Sequence, residues 1–335
     1  MDRPWANPNP LSTSTVAQLL DRLLPELKAS QLDELGAGWD FCTFLATTAD
    51  GQRWVIRIPK RPGEVSRLAR EQRLLQRLHE QLDALQDGAH YRTRMPAYRQ
   101  VLYDNTAPAL ALAVYPLLPG RTLTQQPTTP HAEAIGTALG QWLAIIHKLT
   151  PEPPPAKLPH RFNADLVEHR QALRELRGLL PTALEQALDQ LLRQAVNART
   201  AFDGALQLTD GERRCCFIHD DLGPEHILVN GPEISGLIDW TDAGWGGPLT
   251  DFVGLWAWGG DAAARAAFSA YNARPTESQW SELRLRGTCY ALGLAHFGQF
   301  APDSRAWHDG VQMLHRMLQA GQLPAPPPDS SADHR

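Results

Sequence analysis

Strand-like and helix-like hydrophobic patterns occupy different parts of this chain. Residues 42–48 and 53–58 are short β-prone runs, and Asp50-Gly51 between them is a strong hairpin signal. Another strand-like run lies at 110–115, whereas apolar residues recur at helical spacing from Ile135 onward. This order predicts an α+β protein that has two lobes, a β-rich N-terminal lobe and a mainly helical C-terminal lobe.

Capping residues and apolar stripes place individual helices. Ser12 or Thr13 is expected to cap a first helix, and one long amphipathic helix is predicted from Glu64 to Leu85. Thr276-Glu277-Ser278-Gln279 has the pattern of a capping box, so another helix is expected to begin there.

A proline-rich break separates the two parts. Residues 116–120 read Pro-Leu-Leu-Pro-Gly and interrupt both periodicities. We therefore expect an N-lobe over residues 1–115 and a C-lobe over residues 116–322. The stretch 323–335 is rich in proline and short polar residues, which predicts a disordered tail.

Composition narrows the classes of partner. The 335 residues carry a formal net charge of −5 without long basic runs, so the sequence predicts no nucleic-acid binding. No apolar run approaches the ~18 residues of a membrane span, and the N-terminus lacks the pattern of a signal peptide. Four cysteines without disulfide or metal spacing fit a reducing, cytoplasmic compartment, and we expect a monomer that binds a neutral or cationic small molecule.

Polar residues between short apolar strands, at positions 217–240, carry the strongest chemical signal. Residues 227–229 and 234–238 are predicted to pair as antiparallel strands around Asn-Gly, which puts His226 and Asp239 at the open end of one hairpin. Their side chains are expected to converge with Asp221. Phosphoryl transfer needs a carboxylate that takes the proton of the attacking hydroxyl and further ligands for Mg²⁺.

Several motifs in the expected order resemble the aminoglycoside and macrolide phosphotransferase family. They are residues 54–60, which read Trp-Val-Ile-Arg-Ile-Pro-Lys, the loop His219-Asp220-Asp221, the run Ile238-Asp239-Trp240, and Asp251-Phe252. The similarity is greatest to macrolide 2′-phosphotransferases, which also have His in place of the loop Asn. The resemblance implies a protein-kinase-like fold and a nucleotide-dependent kinase.

The resemblance also implies residue roles. Asp221 would be the catalytic base, and His226 and Asp239 would lie beside Mg²⁺. Arg57 with Glu71 would contact the nucleotide phosphates, and Asp251 would hold the catalytic loop. The residues expected to bind the nucleotide, GTP or ATP, are Arg57, Glu71, Tyr115, Leu117 and Ile238. Asp220 stands where the family has Gly, and its side chain is expected to point away.

The implied reaction moves the γ-phosphate of GTP or ATP to a sugar hydroxyl, the 2′-OH of a macrolide, and gives resistance. Residues 251–320 balance six acidic against six basic residues and are rich in Trp, which also favours a macrolide over a polycationic aminoglycoside. Three alternatives stay open: an aminoglycoside or small-metabolite kinase, a metal-dependent hydrolase using His219, Asp221, His226 and Asp239, and a nucleotide-binding pseudokinase-like module.

Overall fold

The computed structural model describes residues 11–104, 110–125, 131–155, 162–198, 204–213, 215–301 and 304–324. In chain order its elements are α1 (Thr13–Leu23), β1 (Ala29–Ala37), β2 (Phe41–Thr48), β3 (Arg53–Pro59), α2 (Glu64–Asp83), α3 (Gly88–Arg92), β4 (Gln100–Tyr103), β5 (Ala111–Pro116), β6 (Arg121–Thr122), α4 (Ala132–Ile146), α5 (Phe162–Glu175), α6 (Thr182–Ala198), β7 (Leu206–Leu208), β8 (Gly211–Arg213), β9 (Cys216–Ile218), β10 (Ile227–Asn230), β11 (Glu233–Leu237), β12 (Gly244–Gly246), α7 (Val253–Tyr271), α8 (Glu277–Phe300) and α9 (Ser304–Gln319). The predicted α+β class, with a β-rich N-terminal part and a helical C-terminal part, is confirmed.

The chain divides into two compact units. The first comprises Met1–Leu123, Leu149–Pro153 and His226–Ala243, and the second comprises the segments Thr124–Lys148, Pro154–Glu225 and Gly244–Arg335. The β10–β11 hairpin therefore belongs to the first unit, although it lies far along the chain. The lobe boundary expected at residue 116 stays a prediction, and the expected disordered tail lies outside the described residues from position 325 onward.

A five-stranded antiparallel sheet, in the order β1-β2-β3-β5-β4, forms the frame of the first unit. Strand residues alternate between its two faces. In β5, Leu112 and Val114 pack in a core with α1, whereas Ala111 and Ala113 pack in a second core that includes Leu68 of α2. The sheet is thus covered by α1 on one face and by α2 on the other.

Predicted helix starts and the second hairpin are found in the structure. Ser12 caps α1 by accepting a hydrogen bond from the backbone N–H of Thr15, and Thr276 and Gln279 form the capping box of α8. Strands β10 and β11 pair antiparallel, with Asn230 opposite Glu233. Among the described residues, no helix is both long and apolar enough to cross a bilayer.

Two glycines allow a close contact between two helices of the second unit. Gly136 and Gly140 lie one turn apart on α4, and a Cβ atom on each would come within 2.2 Å of the carbonyl oxygen of Ala263 and Ala267, respectively. Helices α4 and α7 can approach this closely only because neither position carries a side chain.

Replacing Gly140 by alanine should therefore destabilise the protein, although alanine favours helix more than glycine does. We expect the free energy of unfolding to fall by about 1–3 kcal/mol, because α7 must shift to admit the methyl group. Chemical denaturation measures this loss. Gly293→Ala in α8 is the matched control, because its Cβ would meet nothing closer than 3.6 Å, and it should be neutral or stabilising. Equal losses in both variants would contradict the explanation.

Candidate active site

Arg57 lies on the face of the sheet that α2 covers. Its neighbours in β3, Ile56 and Ile58, point into the core beneath α1, so the alternation of the strand turns Arg57 to the opposite face. There the guanidinium carbon lies 4.3 Å from the centre of the Phe41 ring, and the side chain is only 5% exposed. A buried arginine of this kind requires acceptors close by.

Glu71 supplies the first of these acceptors. It occupies a position on the apolar stripe of α2, between Leu68 and Leu75, and is fully buried. Nη1 of Arg57 donates to both carboxylate oxygens of Glu71, at 3.0 and 2.8 Å. The structure thus places in contact the two residues that the family resemblance paired.

Asp239 binds the other side of the same guanidinium. Nη2 of Arg57 donates to Oδ1 of Asp239 at 2.6 Å and to the Thr241 hydroxyl at 3.1 Å. That hydroxyl also lies 2.8 Å from Oδ1 of Asp239 and 3.0 Å from Oε2 of Glu71. Arg57 therefore joins α2 to the segment that follows β11.

Two further groups complete the cluster. The backbone N–H of Trp240 donates to Oε1 of Glu71 at 2.9 Å, and Nη1 of Arg57 donates to the Tyr98 hydroxyl at 2.9 Å. The Tyr98 ring stacks on that of Tyr115, with centroids 5.1 Å apart. The stacking thus links Tyr98, which binds Arg57, to Tyr115 of β5.

Burial and charge oppose each other in the cluster. Burial raises the pKa of Glu71 above its usual value despite the charge of Arg57. Burial would also raise the pKa of Asp239, but the charges of Arg57 and His226 outweigh it and hold that pKa below its usual range. Burial would lower the pKa of Arg57, whereas the Asp239 and Glu71 carboxylates raise it well above its usual value. Asp239 is therefore ionised throughout the physiological range.

The carboxylate of Asp239 retains one oxygen that could bind a cation. Oδ1 is engaged by Arg57 and Thr241, whereas Oδ2 lies 3.7 Å from Nε2 of His226. Mg²⁺ prefers oxygen ligands, keeps several waters and is commonly bound by one or two carboxylates together with substrate phosphates. The free oxygen of Asp239 is therefore of the chemical type that such an ion prefers, whereas the nitrogen of His226 is not.

Within the described part of the chain, no three or more His, Cys, Asp or Glu side chains are grouped so that they could hold a metal ion. The cluster of four metal ligands that a hydrolase would need is thus not found among these residues.

Asp221 lies in the second unit, in the loop after β9, and its side chain is half-buried. Asp251 fixes this loop through hydrogen bonds to the loop backbone. Its two carboxylate oxygens accept hydrogen bonds from the backbone N–H groups of His219 and Asp220, at 2.8 and 3.0 Å. Fully buried, Asp251 thus fixes the backbone of the two residues before Asp221.

A buried chain of side chains supports Asp251 in turn. Nε2 of His147 lies 3.0 Å from Oδ2 of Asp251, and Nδ1 of His147 lies 2.8 Å from the Tyr271 hydroxyl. An ionised carboxylate can only accept, so His147 donates to Asp251. Burial would raise the pKa of Asp251, but the hydrogen bond and charge of His147 outweigh this and lower it. Arg213 donates to the Tyr271 hydroxyl at 3.1 Å.

The backbone conformation of Asp220 explains why the family pattern has glycine at this position. Its φ is +66°, in the left-handed region that glycine adopts freely and that aspartate tolerates better than most residues. The unusual residue is thus compatible with the loop.

Two substitutions separate backbone strain from side-chain chemistry at this position. Asp220→Gly should keep the phosphate-transfer rate and change the free energy of unfolding by no more than about 1 kcal/mol, since glycine relieves the left-handed strain. Asp220→Val also removes the carboxylate, but a β-branched residue is disfavoured at positive φ, so it should lose both stability and rate. If both variants fail equally, the carboxylate matters more than φ. Denaturation and rate measurements on the pair decide this.

The other residues expected to bind the nucleotide lie in the first unit. Tyr115 is buried, and Leu117 and Ile238 are half-buried. The backbone N–H of Ile238 donates to the carbonyl of His226 at 3.0 Å, and that of Leu117 donates to Arg53 at 2.9 Å. Their contact with a nucleotide stays a prediction.

Sequence reasoning missed Tyr98, Thr241 and His147. A signal existed for Thr241, which follows Asp239 by two residues in a segment already singled out. Tyr98 and His147 contact the other site residues only through tertiary interactions between distant parts of the chain. Some of the tryptophans in residues 251–320 are core residues, since Trp256, Trp258 and Trp280 are buried.

Comparison with known proteins identifies relatives of this chain. Residues 31–285 match the family model described as "Phosphotransferase enzyme family". No curated protein sequence matches the chain at a significant level.

Solved structures with the same fold include antibiotic phosphotransferases. The GDP complex of wild-type aminoglycoside 2′-phosphotransferase-IIIa has a TM-score of 0.63 and 17% identity, with 93% of this chain and 100% of that chain covered. Macrolide 2′-phosphotransferase MphH from Brachybacterium faecium, as apoenzyme, has a TM-score of 0.56 and 22% identity, with 90% and 98% covered. Macrolide 2′-phosphotransferase type I has a TM-score of 0.54 and 20% identity, with 91% and 98% covered.

Proposed function

This chain belongs to the phosphotransferase enzyme family, and we propose that it is an antibiotic kinase. It transfers the γ-phosphate of GTP or ATP to a sugar hydroxyl, the 2′-OH of a macrolide, and thereby gives resistance. The binding of Arg57 to both Glu71 and Asp239 supports this proposal most directly.

Each part of phosphoryl transfer has a candidate residue. Asp221 accepts the proton of the sugar hydroxyl as its oxygen attacks the γ-phosphorus, and the bond from that phosphorus to the β-γ bridging oxygen breaks. By the family resemblance, Arg57 together with Glu71 would contact the nucleotide phosphates. Asp239, with His226 beside it, would hold the Mg²⁺ whose charge balances the phosphate oxygens.

The resemblance of residues 54–60 and of His226 to macrolide phosphotransferases supports a macrolide acceptor. Glu225 accepts a hydrogen bond from the Tyr290 hydroxyl, and this grouping of acidic side chains supports an amine-bearing antibiotic in general. Burial, followed by the charges of Glu225, Asp221 and Asp309, raises the pKa of the Tyr290 hydroxyl well above its usual value. Macrolides carry one amino sugar and aminoglycosides carry several amines, so an aminoglycoside is the second candidate.

A transfer assay tests the proposal. Purified protein with Mg²⁺ and either GTP or ATP is incubated with a panel of macrolides, aminoglycosides and small metabolites, and the products are detected by mass spectrometry. We expect a macrolide to gain one phosphate and Asp221→Ala to abolish the gain.

Other outcomes of the assay would support one of the alternative functions. Phosphorylated aminoglycoside alone establishes the second candidate, and a phosphorylated metabolite alone rejects resistance. Nucleotide binding without transfer to any acceptor favours a pseudokinase-like module.

A further inference from the structure

An arginine-lined cavity lies between two helices of the second unit, apart from the residues discussed above. Its volume is about 230 Å³. Helix α5 and the turn after it contribute most of the lining, and α6 contributes the rest. The lining residues are Arg170, Leu173, Arg174, Arg177, Asp189 and Arg193.

The positive charges in this cavity repel one another. Arg170 and Arg174 are four residues apart and lie on one face of α5, whereas Arg177 lies in the turn that follows the helix. Like charges four residues apart destabilise a helix. A single carboxylate faces four guanidinium groups, and Nε of Arg193 lies 2.7 Å from Oδ2 of that Asp189.

Two neighbouring carboxylates on the same helices are engaged elsewhere. Glu175 accepts a hydrogen bond from Gln171 and lies 2.8 Å from Nε2 of His296, and Glu185 accepts from the backbone N–H of Gly178 at 2.5 Å. Among the described residues, the lining therefore carries an excess of three positive charges. This local excess of positive charge occurs in a protein whose formal net charge is −5.

We propose that this cavity binds a compact phosphate-bearing anion. Planar guanidinium groups match phosphate oxygens in pairs, and four arginines line this space of about 230 Å³, which is large enough for one or two phosphate groups. Bound anion would relieve the repulsion along α5. The proposal depends only on α5 and α6, so it is independent of the proposed kinase activity.

Inorganic pyrophosphate is the probe, used without Mg²⁺ and at low salt because exposed charges are screened. Thermal shift and calorimetry compare the wild type with the double variant Arg170→Gln/Arg174→Gln. Arg265→Gln is the matched control, since Arg265 is an exposed arginine of α7. We expect pyrophosphate to raise the Tm of the wild type and the control, and its Kd to be at least about tenfold weaker in the double variant.

The double variant itself should fold, and without anion its Tm should equal or exceed that of the wild type because repulsion is removed. Pyrophosphate that binds at the nucleotide site contributes equally to all three proteins, so only the difference between them counts. Measurable pyrophosphate binding with equal Kd values in the wild type and the double variant would overturn the proposal.

A second measurement identifies the source of the phosphate. Co-sedimentation with phosphatidylcholine vesicles containing phosphatidic acid, lost in the double variant, would support the site with a lipid headgroup as the ligand. Weak pyrophosphate binding in all three proteins, together with no co-sedimentation, would overturn it.

Discussion

Asp221→Asn should lower the rate of phosphate transfer by about 10²–10⁴-fold, the range typical for loss of a general base. Asparagine keeps the shape of the side chain but cannot accept the proton of the attacking hydroxyl. Because Asp251 holds this loop by the backbone N–H groups of His219 and Asp220, the substitution leaves those contacts intact. Nucleotide affinity should therefore change little while kcat falls.

The matched control is Asp210→Asn, which makes the same chemical change in the exposed turn between β7 and β8. Measuring kcat, nucleotide Kd and Tm for all three proteins separates the possibilities. A variant with unchanged kcat would remove Asp221 from the reaction. A fall in kcat that is matched by lost nucleotide binding or a lower Tm would assign Asp221 a structural role instead.

The sequence predicted those elements whose burial follows a strict period. In β3 and β5, one face of each strand meets α1 and the other meets α2, so the apolar residues show where the strands lie. The sequence did not predict strand β1, because the strand lies at the edge of the sheet and its exposed residues are mostly polar. Strands of two or three residues, such as β6 and β9, are too short to show alternation.

The sequence located site residues better than it described their surroundings. The family resemblance singled out Arg57 and Glu71, and the predicted hairpin also singled out Asp239. The position of Glu71 on an apolar stripe is itself a sign of a buried partner. The sequence did not reveal that Arg57 would bind Asp239 directly, or that Tyr98 would complete the cluster. Those contacts arise from chain segments more than 40 positions apart, and local patterns carry no information about them.

Replacing Arg57 by methionine should destabilise the protein by about 3–5 kcal/mol, because it leaves the Glu71 and Asp239 carboxylates without their shared cation. Arg57→Lys should be less damaging but not silent. The guanidinium reaches Glu71 and Tyr98 through Nη1 and Asp239 and Thr241 through Nη2, whereas an ammonium group has a single nitrogen for all four. Denaturant unfolding measures both losses.

A double-mutant cycle tests whether Tyr98 serves the guanidinium. Tyr98→Phe should cost about 1–3 kcal/mol in the wild type, where it leaves a buried donor of Arg57 with one acceptor fewer, and measurably less in the Arg57→Lys background. We expect a coupling of about 1 kcal/mol. Tyr103→Phe, an exposed tyrosine of β4, is the control and should show none. Additive losses would mean that Tyr98 stabilises the unit by stacking on Tyr115 rather than by holding Arg57. Coupled losses would mean that an arginine is accommodated on β3 because Tyr98 supplies an acceptor.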